Sequence, residues 1–191
     1  RMSYFAPMKK ISKPGSDEHA LYYEKYIDKV DEKISVLDQL KNNAKTLVQL
    51  YKSLNEQQLL TPYQPGKWSL KDLLMHIIDS ERVFLYRAMR FARKDNTPLP
   101  FFDENEFAKQ ACADKISTAK LLKEYQANRA ASIQFLNNLN NAQMLHKGIA
   151  SNFTMSVRAS AWIICGHELH HLSVIHDRYL SSDSPTFSSF Q

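Results

Sequence analysis

Glycine is scarce in this chain, with four residues among 191, and only two cysteines are present. So few glycines, together with long segments of helical periodicity, argue against a turn-rich β fold. Cys112 and Cys165 form no CxxC pair and are too few for a disulfide framework, so reduced thiols are expected. The sequence has no apolar run long enough to span a membrane and no signal-peptide pattern. We therefore expect a cytoplasmic protein without a membrane partner.

The chain also lacks a concentrated run of one charge. Its formal net charge is +5 and its sequence pI is about 9.1, but the lysines and arginines are spread along the sequence. Nucleic-acid binding is typically indicated by a basic stripe with interleaved aromatic residues. Because no such stripe is present, the sequence predicts a solvated basic surface and no nucleic-acid partner.

Apolar residues recur at helical spacing in four segments: 18–56, 69–93, 117–139 and 156–180. Ser69, with Asp72 three residues later, resembles a capping box at the start of the second segment. The 94–115 connection is long for a bundle, and long ordered loops are often functional. No strand is predicted. The expected fold class is all-α, a four-helix bundle with a long crossover loop.

Prolines and polar residues divide the sequence into three predicted regions. Residues 1–17 contain Pro7, Pro14 and Gly15 and show little periodicity, so they are expected to form an extended N-terminal arm. Residues 18–182 are expected to form a single metal-binding bundle domain. Residues 183–191 are expected to form a C-terminal tail.

A histidine cluster near the C-terminus is the strongest functional signal: Gly166-His167-Glu168-Leu169-His170-His171. His167 and His171 are one turn apart on one helical face and can bind a single metal ion. His76, on the apolar stripe of an earlier helix, would complete a set of three. Such a set leaves coordination positions open, which is typical of a catalytic metal site.

Other interpretations of these residues compete with a three-histidine site. A single buried histidine is usually a hydrogen-bonded core residue, and this holds for His76 taken alone. His167 to His171 also matches the H-E-x-x-H helix of zinc proteases, with Glu168 as the base and Asp177 as a third ligand. That motif in its long form needs a glycine where Val174 continues the helical period. His170 is assigned to the rim of the site or to a hydrogen bond.

Acidic residues and a cysteine near the histidines have open roles. Glu168 is either a group that orients a ligand or a metal-bound water, or a solvated helix residue. Asp79, one turn after His76, is a candidate partner for the free nitrogen of a ligand histidine. Cys165 faces another side of its helix from His167, so a small core residue is expected there rather than a nucleophile.

Motifs along nearly the whole chain resemble the DinB-like (DinB/YfiT) superfamily of metal-binding four-helix proteins. The matching residues are Tyr63, Pro65-Gly66-Lys67-Trp68-Ser69, His76, Asp79, Glu81-Arg82, Arg93, Asp95, Pro98-Leu99-Pro100, Phe102-Asp103, Ser156-Val157-Arg158 and the 166–171 cluster. This resemblance implies a divalent metal held by His76, His167 and His171, an up-down bundle with a long crossover, and a homodimer in many relatives. Some members transfer thiols such as bacillithiol, mycothiol or glutathione, one branch isomerises maleylpyruvate, and many are named metal-dependent hydrolases.

The function expected first is a metal-dependent thiol S-transferase, which joins a low-molecular-weight thiol to a small electrophilic substrate. Zinc or nickel is expected as the metal, with iron, cobalt and manganese as alternatives. Phe102, beside Phe101, would cover an apolar substrate. Tyr125 and Arg129 would hold a substrate carboxylate, unless they are a core tyrosine and a snorkelling arginine. The alternatives are a hydrolase with Glu168 as base and a metal- or ligand-binding protein without turnover.

Overall fold

The computed structural model describes residues 9–181. In chain order the helices are α1 (Glu24–Ile27), α2 (Val36–Ser53), α3 (Glu56–Leu60), α4 (Leu70–Ala92), α5 (Glu104–Ala111), α6 (Thr118–Asn138), α7 (Asn141–Met144) and α8 (Val157–Val174). Two short strands, β1 (Lys147–Ala150) and β2 (Phe153–Ser156), lie between α7 and α8. Short 3-10 turns span Ser16–Glu18, Leu21–Tyr23 and Ala113–Lys115, and a π-helical turn spans Ile175–Tyr179. Residues 1–8 of the predicted arm and the predicted tail at 183–191 lie outside the described residues.

The four long helices α2, α4, α6 and α8 form a bundle, as predicted. Helix α4 packs against α6 and α8, and α2 packs against the same two helices. Ser69 caps α4 as expected, because its hydroxyl accepts the Asp72 amide while the Asp72 carboxylate accepts the Ser69 amide. The N-terminal half of α4 packs with the C-terminal end of α8, so these two helices run antiparallel.

The predicted first helix, 18–56, is wrong as a single element. The chain leaves helical geometry after Ile27 and enters α2 only at Val36. Within this break the Asp31 carboxylate accepts the Lys33 amide, an Asx-type turn that competes with the helix. Val30 and Val36 are both buried, so the turn lets α1 and α2 bury apolar residues in different directions.

The absence of strands was also a wrong prediction. β1 and β2 form an antiparallel hairpin whose turn residues, Ser151 and Asn152, both have positive φ angles, as a two-residue turn of this kind requires. Strands of four residues around Ser-Asn give little signal in the sequence. The hairpin also anchors the 94–115 connection. The Leu99 amide donates to the Ile149 carbonyl, and the Leu99 carbonyl accepts from the Ser151 amide. That connection is partly helical and contains α5.

Two apolar clusters fill the bundle, and a polar layer lies between them. On α4 the buried apolar residues of segment 70–78 belong to one cluster, and those of segment 84–92 belong to the other. The same division occurs on the other three helices. The buried polar residues at the boundary are Asn43, Ser80, Glu81, Arg129, Ser132, His167 and Glu168. No helix within 9–181 is both long and apolar enough to cross a membrane.

Helix α1 lies across α8 at Gly166. A Cβ atom at this position would overlap the backbone carbonyl of Tyr26. The glycine therefore allows the two backbones to approach closely, and it sits next to His167. The ring of Tyr26 meets the ring of His167 edge-on, with 5.3 Å between the centroids.

Gly166→Ala is expected to destabilise the protein although alanine favours a helix. The helical preference of alanine contributes about 1 kcal/mol, whereas overpacking against a fixed backbone costs about 1–3 kcal/mol and occasionally more. We expect a net loss of about 1–2 kcal/mol in the free energy of unfolding, measured by urea denaturation. Ser173→Ala, on the exposed face of the same helix, is the control and should change stability little. Equal stability of the two variants would contradict the close approach.

Candidate metal centre

Helices α4 and α8 bring the three predicted histidines together. The Nε2 atom of His167 lies 3.0 Å from Nε2 of His76 and 3.0 Å from Nε2 of His171. One ligand nitrogen from each ring lies within 4.8 Å of the other two. His76 and His167 are buried and His171 is half-buried. The arrangement is a compact triangle of nitrogens, and the corner at His171 is the one nearest to solvent.

This triangle fits a divalent metal better than a shared proton. A tetrahedral zinc at about 2.0–2.1 Å from each imidazole separates its ligand nitrogens by roughly 3.3 Å. A proton on Nε2 of His167 can serve only one of its two 3.0 Å contacts. A single cation between the three rings would engage all three lone pairs at once.

Burial keeps these imidazoles in the neutral form that a metal requires. It lowers the pKa of His76 to about 4. It also lowers the pKa of His167 and His171 well below the usual value, and the neighbouring histidines lower both further. Neutral imidazole leaves a lone pair free for a metal. The electrostatics and the geometry of the triangle therefore both favour a divalent metal.

The surroundings of the triangle differ from the sequence-based expectation for Asp79. The Asp79 carboxylate pairs with Arg82 at 3.3 Å instead of contacting a histidine. The group beside His76 is Ser80, whose hydroxyl lies 3.5 Å from Nδ1. Nδ1 of His171 is buried and has no hydrogen-bond partner among the described residues. The ring of Trp68 lies 4.8 Å from that of His76, centroid to centroid, and forms one wall of the site.

Arg129 forms a buried ion network that includes Glu168, the residue that follows His167. Its guanidinium donates to both oxygens of Glu81 at 3.0–3.2 Å and to Glu168 at 2.8 Å. It also donates to the backbone carbonyl of Leu40 at 2.9 Å. Tyr125 donates its hydroxyl proton to the other oxygen of Glu168. Burial alone would lower the pKa of Arg129, but Glu168 and Glu81 raise it well above the usual value.

This network corrects three predicted roles. Tyr125 and Arg129 are buried and bonded to carboxylates, so they are not placed to hold a substrate. Both oxygens of Glu168 are already engaged, which argues against a general base at the metal. Burial, and then the charge of Glu168, also raise the pKa of Tyr125. The sequence offered one signal for this arrangement, namely that Arg129 lies on an inward apolar stripe.

A cleft of about 250 Å³ opens beside His171. Its walls include the rings of Tyr63, Trp68 and Tyr179, and Asn105 of α5 lies at its edge. Nothing in the sequence pointed to Asn105. Phe102 does not line this cleft, contrary to expectation, because it packs against Phe107 with 5.3 Å between ring centroids.

The π-helical turn after α8 connects the cleft to the metal centre. It directs Tyr179 so that its hydroxyl donates to the Trp68 carbonyl at 2.7 Å, and its ring meets Tyr63 edge-on at 5.0 Å. Tyr51 similarly donates to the Leu70 carbonyl at 2.8 Å. Tyr179 thus holds Trp68 itself in place over His76, whereas Tyr51 holds the first residue of α4. Such π turns occur frequently at functional sites.

Comparison with known proteins identifies the family. The model of the DinB superfamily matches residues 39–175, from the start of α2 to the end of α8. The chain belongs to the DinB superfamily. The match covers all three histidines and the Arg129 network, so both features lie within the DinB domain.

Two relatives of this DinB chain carry hydrolase names. "Putative metal-dependent hydrolase OB0413" of Oceanobacillus iheyensis is 27% identical over 155 residues, which cover 76% of this chain and 88% of that protein. YfiT from Bacillus subtilis is similar in structure, with a TM-score of 0.66, 18% identity, and coverage of 87% of this chain and 90% of that chain. It is described as "a probable metal-dependent hydrolase with an unusual four-helix bundle topology". At this identity the likeness to YfiT concerns the fold.

The geometry of the DinB chain also argues against the two other catalytic interpretations. The third histidine comes from α4, whereas Asp177 is exposed and pairs with His176, so the zinc-protease ligand set is not assembled. Cys165 is buried, and burial raises the pKa of its thiol to about 12. A thiol in that environment is a core residue rather than a nucleophile.

Arg129→Leu is expected to lower the free energy of unfolding by about 3–5 kcal/mol, because it leaves two buried carboxylates without their cation. Arg82→Leu is the matched control. It removes an exposed arginine that also pairs with two carboxylates, Asp79 and Glu124, and should cost no more than about 1 kcal/mol. Both losses can be measured by chemical denaturation. Similar losses in the two variants would refute the importance of the buried network.

Tyr179→Phe is expected to disturb the metal site while costing only about 1 kcal/mol of stability, the typical contribution of one hydrogen bond. The visible spectrum of cobalt-loaded protein reports the ligand geometry directly. Tyr51→Phe is the control, because it removes a comparable hydrogen bond from a residue that does not line the cleft. We expect a changed cobalt spectrum for Tyr179→Phe alone. An unchanged spectrum would mean that Tyr179 only stabilises the fold.

Proposed function

We propose that this chain is a metal-dependent hydrolase of a small-molecule substrate, with His76, His167 and His171 as the metal ligands. The observation that carries the proposal is the triangle of Nε2 atoms, one of whose histidines, His171, lines an accessible cleft. The hydrolase names of the two relatives support the same reaction class. Three imidazole ligands leave coordination positions open for water and substrate.

A divalent metal bound at this site would supply Lewis acidity and lower the pKa of a bound water toward about 7. The protein's own contribution is to hold three neutral donors in fixed positions. Tyr26 packs against the ring of His167 and Trp68 against the ring of His76, so each of these two rings has an aromatic neighbour that fixes its position. Because Glu168 is bonded to Arg129 and Tyr125, it acts by holding the segment that bears His167 rather than by accepting a proton.

Zinc or nickel is the metal that we propose first, since imidazole is a good ligand for both. The thiol S-transferase hypothesis would use the same metal centre, but no charged or polar group in the cleft is specific for a thiol. The names of the relatives support hydrolysis instead. The homodimer and the cytoplasmic location expected from the sequence stay predictions.

His76→Ala and His171→Ala are expected to lose metal and activity together. Protein loaded with zinc or nickel and then dialysed should retain about one ion per chain by elemental analysis, and each variant should retain at least tenfold less. Hydrolysis of p-nitrophenyl acetate should fall in parallel and should be abolished by a chelator. His176→Ala, an exposed histidine beyond α8, is the control and should behave as the unaltered protein.

Two results would overturn the proposal. One is full metal retention by the alanine variants, which would place the metal elsewhere. The other is turnover that persists after chelation. Conjugation of 1-chloro-2,4-dinitrobenzene with a panel of thiols, measured on the same samples, separates the reaction classes, because metal-dependent conjugation without hydrolysis would favour the transferase.

A further inference from the structure

The cleft beside His171 restricts the size and shape of what can reach the metal centre. Its volume of about 250 Å³ lies just below the range of about 300–1,000 Å³ that is usual for ligand pockets, so a small ligand is expected. The aromatic side chains Tyr63, Trp68 and Tyr179 form much of its surface. A flat apolar group of about one ring fits such walls, because aromatic surfaces pack well against one another.

The charge of the cleft is the second constraint. Lys67 is the one lysine, arginine, aspartate or glutamate among the described residues that line it. Lys67 makes no ion pair within 9–181. The nearby carboxylates of Asp72 and Asp114 line a separate cleft that shares Trp68. Both lie within hydrogen-bond distance of the Ser69 hydroxyl, whose single proton serves one of them at a time.

The backbone of Lys67 is held in place by the same turn that positions Trp68. Its amide donates to the Gln64 carbonyl at 3.1 Å, and Gly66 supplies the positive φ angle of 77° that this turn requires. Tyr179 holds the next residue through the Trp68 carbonyl. The ammonium group is therefore attached to an anchored part of the cleft wall, where an unpaired cation favours an anionic ligand.

We propose that this cleft selects small substrates in which a flat apolar group carries a carboxylate, with Lys67 binding the carboxylate and Trp68 and Tyr63 packing on the apolar part. Describing the ligand as a substrate rests on the proposed function. Lys67 takes the role that the sequence suggested for Arg129. The reacting bond would then lie on the part of the molecule nearest to His171.

Binding of benzoate and benzamide tests this selection, because the two probes have nearly the same shape and differ in charge. Their affinities are measured by titration calorimetry with zinc-loaded and metal-free protein, since benzoate can also ligate a metal directly. We expect benzoate to bind about tenfold more tightly than benzamide to the zinc-loaded protein. Lys67→Gln should reduce this preference at least fivefold in both preparations and leave benzamide affinity unchanged.

Lys109→Gln is the matched control, because it removes the same charge from the neighbouring cleft and should leave the preference intact. An unchanged preference in Lys67→Gln would overturn the inference, as would equal affinity of the unaltered protein for both probes or no binding of either. Elemental analysis of the same samples separates the two proposals. If the protein retains metal and hydrolyses the ester but Lys67→Gln keeps the preference for benzoate, only this inference is rejected. If the preference depends on Lys67 but the protein retains no metal, only the proposed hydrolase is rejected.

Discussion

Arg129 is the residue at which all four bundle helices meet. From α6 its guanidinium reaches the Leu40 carbonyl on α2, Glu81 on α4 and Glu168 on α8. Apolar contacts alone allow helices to rotate and slide, because they are not directional. Charged hydrogen bonds have strict geometry, so this network specifies the rotation of α4 and α8 about their axes. His76 and His167 depend on that rotation to face each other.

The network is costly, and its position explains why the fold can contain it. Burying charges carries a desolvation cost that exceeds the gain unless every donor and acceptor is matched. Here the charges lie between two apolar clusters and engage one another, a tyrosine hydroxyl and a backbone carbonyl. The same polar layer contains His167 and lies beside the other two histidines. The centre of the bundle therefore has less apolar packing and a more defined arrangement of the three histidines.

The walls of the site are built from the ends of helices rather than from their middles. The turn before α4 carries Trp68, the π-helical turn after α8 carries Tyr179, and α5 in the crossover carries Asn105. These segments are held by single hydrogen bonds and aromatic contacts, such as that from Tyr179 to the Trp68 carbonyl. The walls therefore also support the histidine triangle, because Tyr179 holds the turn that places Trp68 against His76.

The sequence was sufficient for whatever depends on local periodicity. The second, third and fourth helices, the Ser69 cap and the family were all predictable, because apolar spacing and short motifs are local properties. It was also sufficient to name the three histidines, since two of them share a helical turn. The single first helix and the absence of strands were wrong, because the Asp31 turn and a four-residue hairpin have weak local signals.

The partners of the buried side chains were decided only by the tertiary structure. Glu168 and Asp79 both looked able to serve the metal, yet Glu168 lies in the ion network and the half-buried Asp79 pairs with Arg82. Arg129 looked like a substrate ligand until its carboxylate partners were visible. A side chain's role depends on which groups from distant segments surround it and bond to it. Arg129, for example, lies 48 residues from Glu81 and 39 residues from Glu168 in the sequence. Sequence motifs therefore identify candidate site residues, and the tertiary contacts of each side chain decide its role.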